Sequence, residues 1–222
     1  MFGQIDTLIE DNKYSKGSFV KAVENENCSK NKLKDWAIQK YFQTYHQNRV
    51  FSAIHANAIY EDVRQFEMEQ LIAEETNINC GSDSHYNLIK RFAIAMGATE
   101  KEFETTNVGR PVREFVEYLI NLCKNEHFVY GILSIYVNES QTSESATKLY
   151  TYLKKNFNLT DAELEWFLVH SEADEEHASK ARTLIEKYSS EVRDFPTKSL
   201  EIVKNGIVMW KNLHEYYYSL IK

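Results

Sequence analysis

Apolar residues recur along this chain at spacings of three and four, the signature of helices that bury one face. The pattern predicts a short helix over about 2–10 and another over about 16–24. A long helix follows, capped by Ser29 or Asn31 and running through Trp36, Tyr41 and Val50 to about Ala58. The next runs from Glu61 to Glu75, and the polar stretch 77–84 interrupts the pattern with Gly81 as its turn residue. Ser84 caps a helix from His85 to Met96 that Gly97 closes. Pro111 suits the first turn of a helix reaching Asn125, and Phe128 to Phe157 reads as one long helix. Thr160 and Glu163 form a capping box for a helix through His170, and a last helix covers 197–221. The sum is an all-α bundle of roughly seven to nine helices.

Composition narrows the class. The 222 residues suit one domain over 1–222 with a sizeable core, and only 7 Gly and 2 Pro leave few turns between long helices. A net charge of -7 and the lack of any basic run argue against a nucleic-acid partner. The three cysteines include no CxxC pair, which points away from a disulfide framework and towards a reducing compartment. The first residues lack the basic start and apolar run of a signal peptide, and no long apolar window suits a membrane span. A cytoplasmic location is the expectation.

Candidate chemistry lies where polar residues interrupt apolar stripes. His170, Asp174 and His177, spaced by four and three, stack on one helix stripe with Phe167, Val169 and Ala181. Glu139 interrupts the stripe Ile132, Ile135, Tyr136, Ala146 and Leu149. Glu75 follows Met68, Leu71 and Ile72, a phase that points Glu75 inward and puts Glu74 outward with Glu67 and Gln70. His85 leads the stripe Leu88, Ile89, Phe92 and Met96. A buried acid or imidazole needs a partner, and a metal ion is the simplest one. Mixed nitrogen and oxygen donors suit iron or manganese better than structural zinc. Six such residues are a natural set for two metals with open positions, the kind of centre that helical bundles build from carboxylates. His46, His55, His127 and His214 read instead as hydrogen-bonded or surface histidines.

These segments resemble the heme-oxygenase-like diiron oxidases and oxygenases. The resemblance rests on His170-xxx-Asp174-xx-His177, on Tyr136-xx-Glu139-x-Gln141, on Glu74-Glu75 followed by His85-xx-Leu88, and on Gly109-Arg110-Pro111, in that family's order over residues 30 to 190. It implies a heme-oxygenase-like bundle of about seven core helices without heme. It also implies that Glu75, His85, Glu139, His170, Asp174 and His177 bind two irons that activate dioxygen. Pyrroloquinoline quinone synthase-like proteins share the fold and match less well. One chlamydial branch makes p-aminobenzoate from its own tyrosine and also binds death domains. That branch needs an early tyrosine and a lysine ten residues beyond the Glu139 position, where this chain has Val20 after Phe19 and then Leu149 beside Lys148. Those departures argue against p-aminobenzoate synthesis, although a synthase of that kind or a cofactorless oxidase of the same fold is the alternative.

The expected activity is therefore oxidation of a small molecule, an amino acid or amine, by an oxygen-dependent non-heme diiron oxidoreductase. An external electron donor is a further expected partner. Tyr41, Tyr45, Tyr136, Trp36, Gln39 and Arg110 are the pocket candidates. A non-catalytic interaction protein on the same fold is the competing class, and the aromatic tail from Trp210 to Tyr218 reads as a core cover or a homodimer seam.

Overall fold

Helices account for the regular structure throughout, as the periodicity requires. The computed structural model describes residues 2–25, 28–172 and 174–222, the side chains of 172 and 174–176 excepted. The α-helices are α1 Phe2–Asp11, α2 Ser18–Asn25, α3 Lys30–Gln47, α4 Arg49–Asn57, α5 Glu61–Glu75 and α6 His85–Ala95. They continue as α7 Glu100–Thr105, α8 Arg110–Asn125, α9 Phe128–Phe157, α10 Glu165–Glu172, α11 Asp174–Tyr188 and α12 Phe195–Ile221. No strand occurs among the described residues.

Helix α9 is the axis of the bundle. Its 30 residues bury an almost unbroken run from Phe128 to Asn138, and α8, α10, α11 and α12 pack round it. Helix α4 crosses it at Gly131, where a Cβ would meet Ile54 Cγ1 at 2.7 Å. That close crossing needs a residue without a side chain. The helix ends at Asn158 in the left-handed region, φ 52°.

Three helix boundaries differ from the periodic reading. The long helix predicted from 31 to 58 divides at buried Asn48, whose amide donates to the Glu74 carbonyl at 3.3 Å and so joins α3 and α4 to α5. The capping box does form, with Thr160 N donating to Glu163 Oε2 at 2.7 Å, but the α-helix begins only at Glu165. The stretch read as one His-Asp-His helix is covered by α10 and α11, with Ala173 between them outside the described residues.

The facing of α5 needs correction. Its buried residues are Val63, Phe66, Glu67, Gln70 and Ala73, while Met68 is exposed. The inward stripe therefore runs through Glu67 and Gln70 to Glu74, and Glu75 falls on its flank. The polar residues taken as the solvent face are on the interior one.

Candidate metal centre

The inward face of α5 ends in the site. Glu74 from the end of α5, His85 from the start of α6 and His170 from α10 bring one donor atom each within 4.8 Å of one another. The loop joining the first two turns at Gly81, φ 91°, a conformation that favours glycine. His85 Nδ1 lies 3.0 Å from Glu74 Oε1, and the His85 and His170 ring centroids are 4.7 Å apart. Both imidazoles are buried. His170 Nδ1 donates to the Trp166 carbonyl at 2.7 Å, which leaves the Nε2 lone pair as the donor available to a ligand.

Electrostatics fixes the protons. Burial works against the Glu74 charge, but the His85 charge prevails and holds the carboxyl down at about 2. Burial likewise opposes a charged His85, and Glu74, with the nearby Cys80 thiol, raises it to about 10. His170 is pushed down to about 3 by burial and then by the His85 charge, against the pull of Glu74. The cluster is thus an acid, a proton-holding imidazole and a neutral imidazole. Neither His85 ring nitrogen completes a well-aligned hydrogen bond, despite the close carboxylate. This donor set would suit a divalent cation: Glu74, His85 and His170 would hold it, with His85 giving up its proton on binding.

A cavity of about 60 Å³ adjoins the cluster, lined by Glu74, Glu139 and His170 together with Lys40, Thr142, Trp166 and Trp210. Glu139 also lines an open groove of about 760 Å³ with Tyr136, Lys148 and Arg182, so it stands between the cluster and solvent. His177 on α11 is half-buried and near enough for its charge to lower Glu74. The Asp174 side chain lies outside the described residues.

Other candidates are placed elsewhere. Glu75 is exposed, beside Asn48, with partial burial of its carboxyl raising it, so it does not point inward as expected. Tyr41 packs edge-on against Phe103 at 5.0 Å, and exposed Tyr45 packs edge-on against Tyr86, so both face away from the cavity. Arg110 is an exposed helix-start charge paired with Glu114 at 2.7 Å. Gln39 is occupied, donating to the Asn107 carbonyl and accepting from Gly109 N. Tyr136 donates to Asp6 at 3.1 Å at the groove. Trp36 does line a cavity, a second one of about 40 Å³ with Tyr14, Phe19, Val20 and Leu149. His214, read as satisfied or on the surface, is half-buried and lines this cavity; burial of its ring, then Lys40, lowers it to about 3.

Sequence reasoning missed Glu74, Lys40 and Tyr14. For Glu74 the signal was available, because Val63, Phe66 and Ala73 define the stripe that it ends. Lys40 had none, since a lysine between Gln39 and Tyr41 reads as surface.

Residues 34–198 match the family model described as iron-containing redox enzyme. The 4-aminobenzoate synthase of Chlamydia pneumoniae is 25% identical over 182 residues, 82% of this chain and 80% of that protein. The 4-aminobenzoate synthase of Nitrosomonas europaea is 26% identical over 96% of this chain and 91% of its own length. A solved structure from Shewanella denitrificans, described as a domain of unknown function with a heme oxygenase-like fold, superposes with a TM-score of 0.78 at 12% identity. It covers 98% of this chain and 90% of its own.

Proposed function

From the premise that this chain belongs to the iron-containing redox enzyme family, we propose that it is an oxygen-dependent diiron oxidase of a small organic molecule. The observation that carries this reading is the buried Glu74–His85–His170 cluster, three donor atoms within 4.8 Å beside a cavity that Glu139 also lines. In this reading Glu74, in place of Glu75, joins His85, Glu139, His170, Asp174 and His177 as ligands. Asp174 and His177 are supported by the sequence spacing.

When bound, the metals would supply the redox chemistry between dioxygen and the substrate. The protein's own groups do the rest. Trp166 fixes the His170 tautomer through its carbonyl. Glu74 keeps a proton on His85, which that imidazole would release to act as a ligand. Trp166 and Trp210 wall the cavity with aromatic surface.

A test is anaerobic loading with Fe(II), counting iron, then measuring oxygen uptake. Two irons per chain with oxygen consumption, both reduced in His177→Ala, are expected. No bound iron and no oxygen uptake would sink the reading.

One observation favours a second reading, in which this chain shares the activity named for its 4-aminobenzoate synthase relatives. Tyr14 is buried, lines the second cavity and donates to Asn138 Oδ1 at 3.3 Å, next to Glu139, while Lys148 Nζ reaches the Ser15 carbonyl at 3.4 Å. Tyr14 then stands in for the tyrosine that positions 19 and 20 lack. Intact-mass measurement after iron and oxygen treatment separates the two: the second reading requires a lasting mass loss at Tyr14, and the first leaves it whole.

A further inference from the structure

Asn138 precedes Glu139 on α9, and its side-chain amide is held at one end only. Its Oδ1 accepts from Tyr14 Oη at 3.3 Å and from Trp210 Nε1. An indole nitrogen can only donate, so the atom facing Trp210 is the amide oxygen and the orientation is fixed. Nδ2 is thereby turned away from both rings. It is buried, in a residue only 5% exposed, and meets no acceptor of the protein. The cavity that Asn138 lines is the acid–histidine one.

Neighbouring polar groups on that wall are already engaged. Gln43 Nε2 donates to Gln47 Oε1 at 3.0 Å, Thr44 Oγ1 to the Lys40 carbonyl at 3.1 Å and Thr142 Oγ1 to the Asn138 carbonyl at 2.9 Å. Trp166, on the same wall, also has a buried Nε1 without an acceptor. Buried donors are costly until an acceptor meets them, and a carbonyl oxygen offers two lone pairs. A neutral carbonyl adds no third carboxylate to a wall that holds Glu74 and Glu139. A water needs roughly 10–15 Å³ of such space, so a cavity of about 60 Å³ admits a molecule of a few heavy atoms. We propose that Asn138 is a specificity-determining residue whose Nδ2 donates to the carbonyl oxygen of a small neutral substrate in the acid–histidine cavity. The atoms bonded to that carbonyl then lie in the space that Glu74, Glu139 and His170 line. The inference rests on the oxidase reading in taking this cavity as the substrate's place.

The donor reports on itself. Metal-free protein carrying isotope-labelled asparagine is titrated with acetamide and with thioacetamide, a probe of similar shape whose sulfur accepts more weakly, while the side-chain amide signals are followed by NMR. The Asn138 signals are identified by their loss in Asn138→Asp, which keeps an oxygen for Trp210. Acetamide is expected to move them downfield, saturably, in the millimolar range. It should bind at least about tenfold more tightly than thioacetamide. Asn138→Leu should weaken acetamide by about tenfold or more. Unmoved Asn138 signals, an equal response to the two probes, as when water alone serves Nδ2, or undiminished binding by Asn138→Leu would each overturn the proposal. If Asn138→Leu loses its helical circular dichroism, the wild-type titrations decide alone. Because no iron is present, success here with failed iron loading breaks the oxidase reading, and the converse breaks only this inference.

Discussion

Helix α5 carries a polar cluster at each end, and the two are built on opposite plans. At its start Asp62 accepts from Tyr188 at 2.7 Å and from Lys187 at 2.7 Å, and Tyr60 stacks on Tyr188 with centroids 4.2 Å apart. Tyr60 in turn donates to Glu191 at 2.7 Å. Every charge there has a protein partner and touches water. At the far end Glu74 meets two buried imidazoles, and the His85 nitrogens lack well-aligned partners. Buried polar groups are costly unless satisfied. The first cluster is complete as a tie between α5 and α11, whereas the second holds an acid and two imidazoles close together with the His85 nitrogens poorly aligned to their neighbours.

The largest expected effect breaks that contrast directly. Glu74→Ala should lower Fe(II) affinity by more than about 100-fold, since even changes behind the ligands cost 10- to 100-fold in such sites. Glu75→Ala should leave it within a few-fold. Equilibrium dialysis against Fe(II) under nitrogen reads both. Equal losses in the two variants would return Glu75 to the ligand set.

That pair of adjacent acids also shows where the sequence was legible. Helix α9 was readable to its ends because thirty residues of apolar periodicity leave one phase, and α8 was marked by Pro111 near its start. Helix α5 offers two stripes of helical spacing. One is Met68, Leu71 and Ile72; the other is Val63, Phe66 and Ala73 interleaved with Glu67, Gln70 and Glu74. Hydrophobicity favours the first, and the fold buries the second. Hydrophobic periodicity does not anticipate a helix face that buries polar side chains, so the pattern fails on this face of α5. Glu67 follows the same logic, its carboxyl raised well above the ordinary range by burial. His85 and His170 were legible because each breaks an otherwise apolar run. The Asn48 break was not, because Asn48 keeps a helical backbone and only its side-chain bond to α5 reveals the junction.

A smaller effect is expected from acid. His170 titrates at about 3 in the fold, against an ordinary value of 6.5. Protonation therefore favours the unfolded chain: the stability is fully present above pH 6.5 and is lost as pH falls towards 3. His85 has the opposite sign, raised to about 10, so its contribution is present below pH 6.5 and lost as pH rises through 10. Urea midpoints of metal-free protein should thus fall on both sides of neutrality. His170→Gln should flatten the acid limb and His85→Gln the alkaline one. Unchanged limbs would mean that these imidazoles are already solvated.

The smallest effect belongs to the other end of α5. Burial raises the Asp62 carboxyl, but Lys187 and Tyr188 more than offset it and lower it overall. The Asp62 side chain is 39% exposed and that of Lys187 57%, so solvent and salt screen much of the attraction. Asp62→Asn keeps an acceptor for Tyr188 and removes only the ion pair. It should cost no more than about 1 kcal/mol, with a loss that shrinks further in 1 M salt. Iron affinity should not move, because the exchange lies at the opposite end of the helix from Glu74. Chemical denaturation at two salt concentrations and one iron titration test this. A salt-independent loss, or weakened iron, would show the two ends of α5 acting as one unit instead of as a closed tie and an open site.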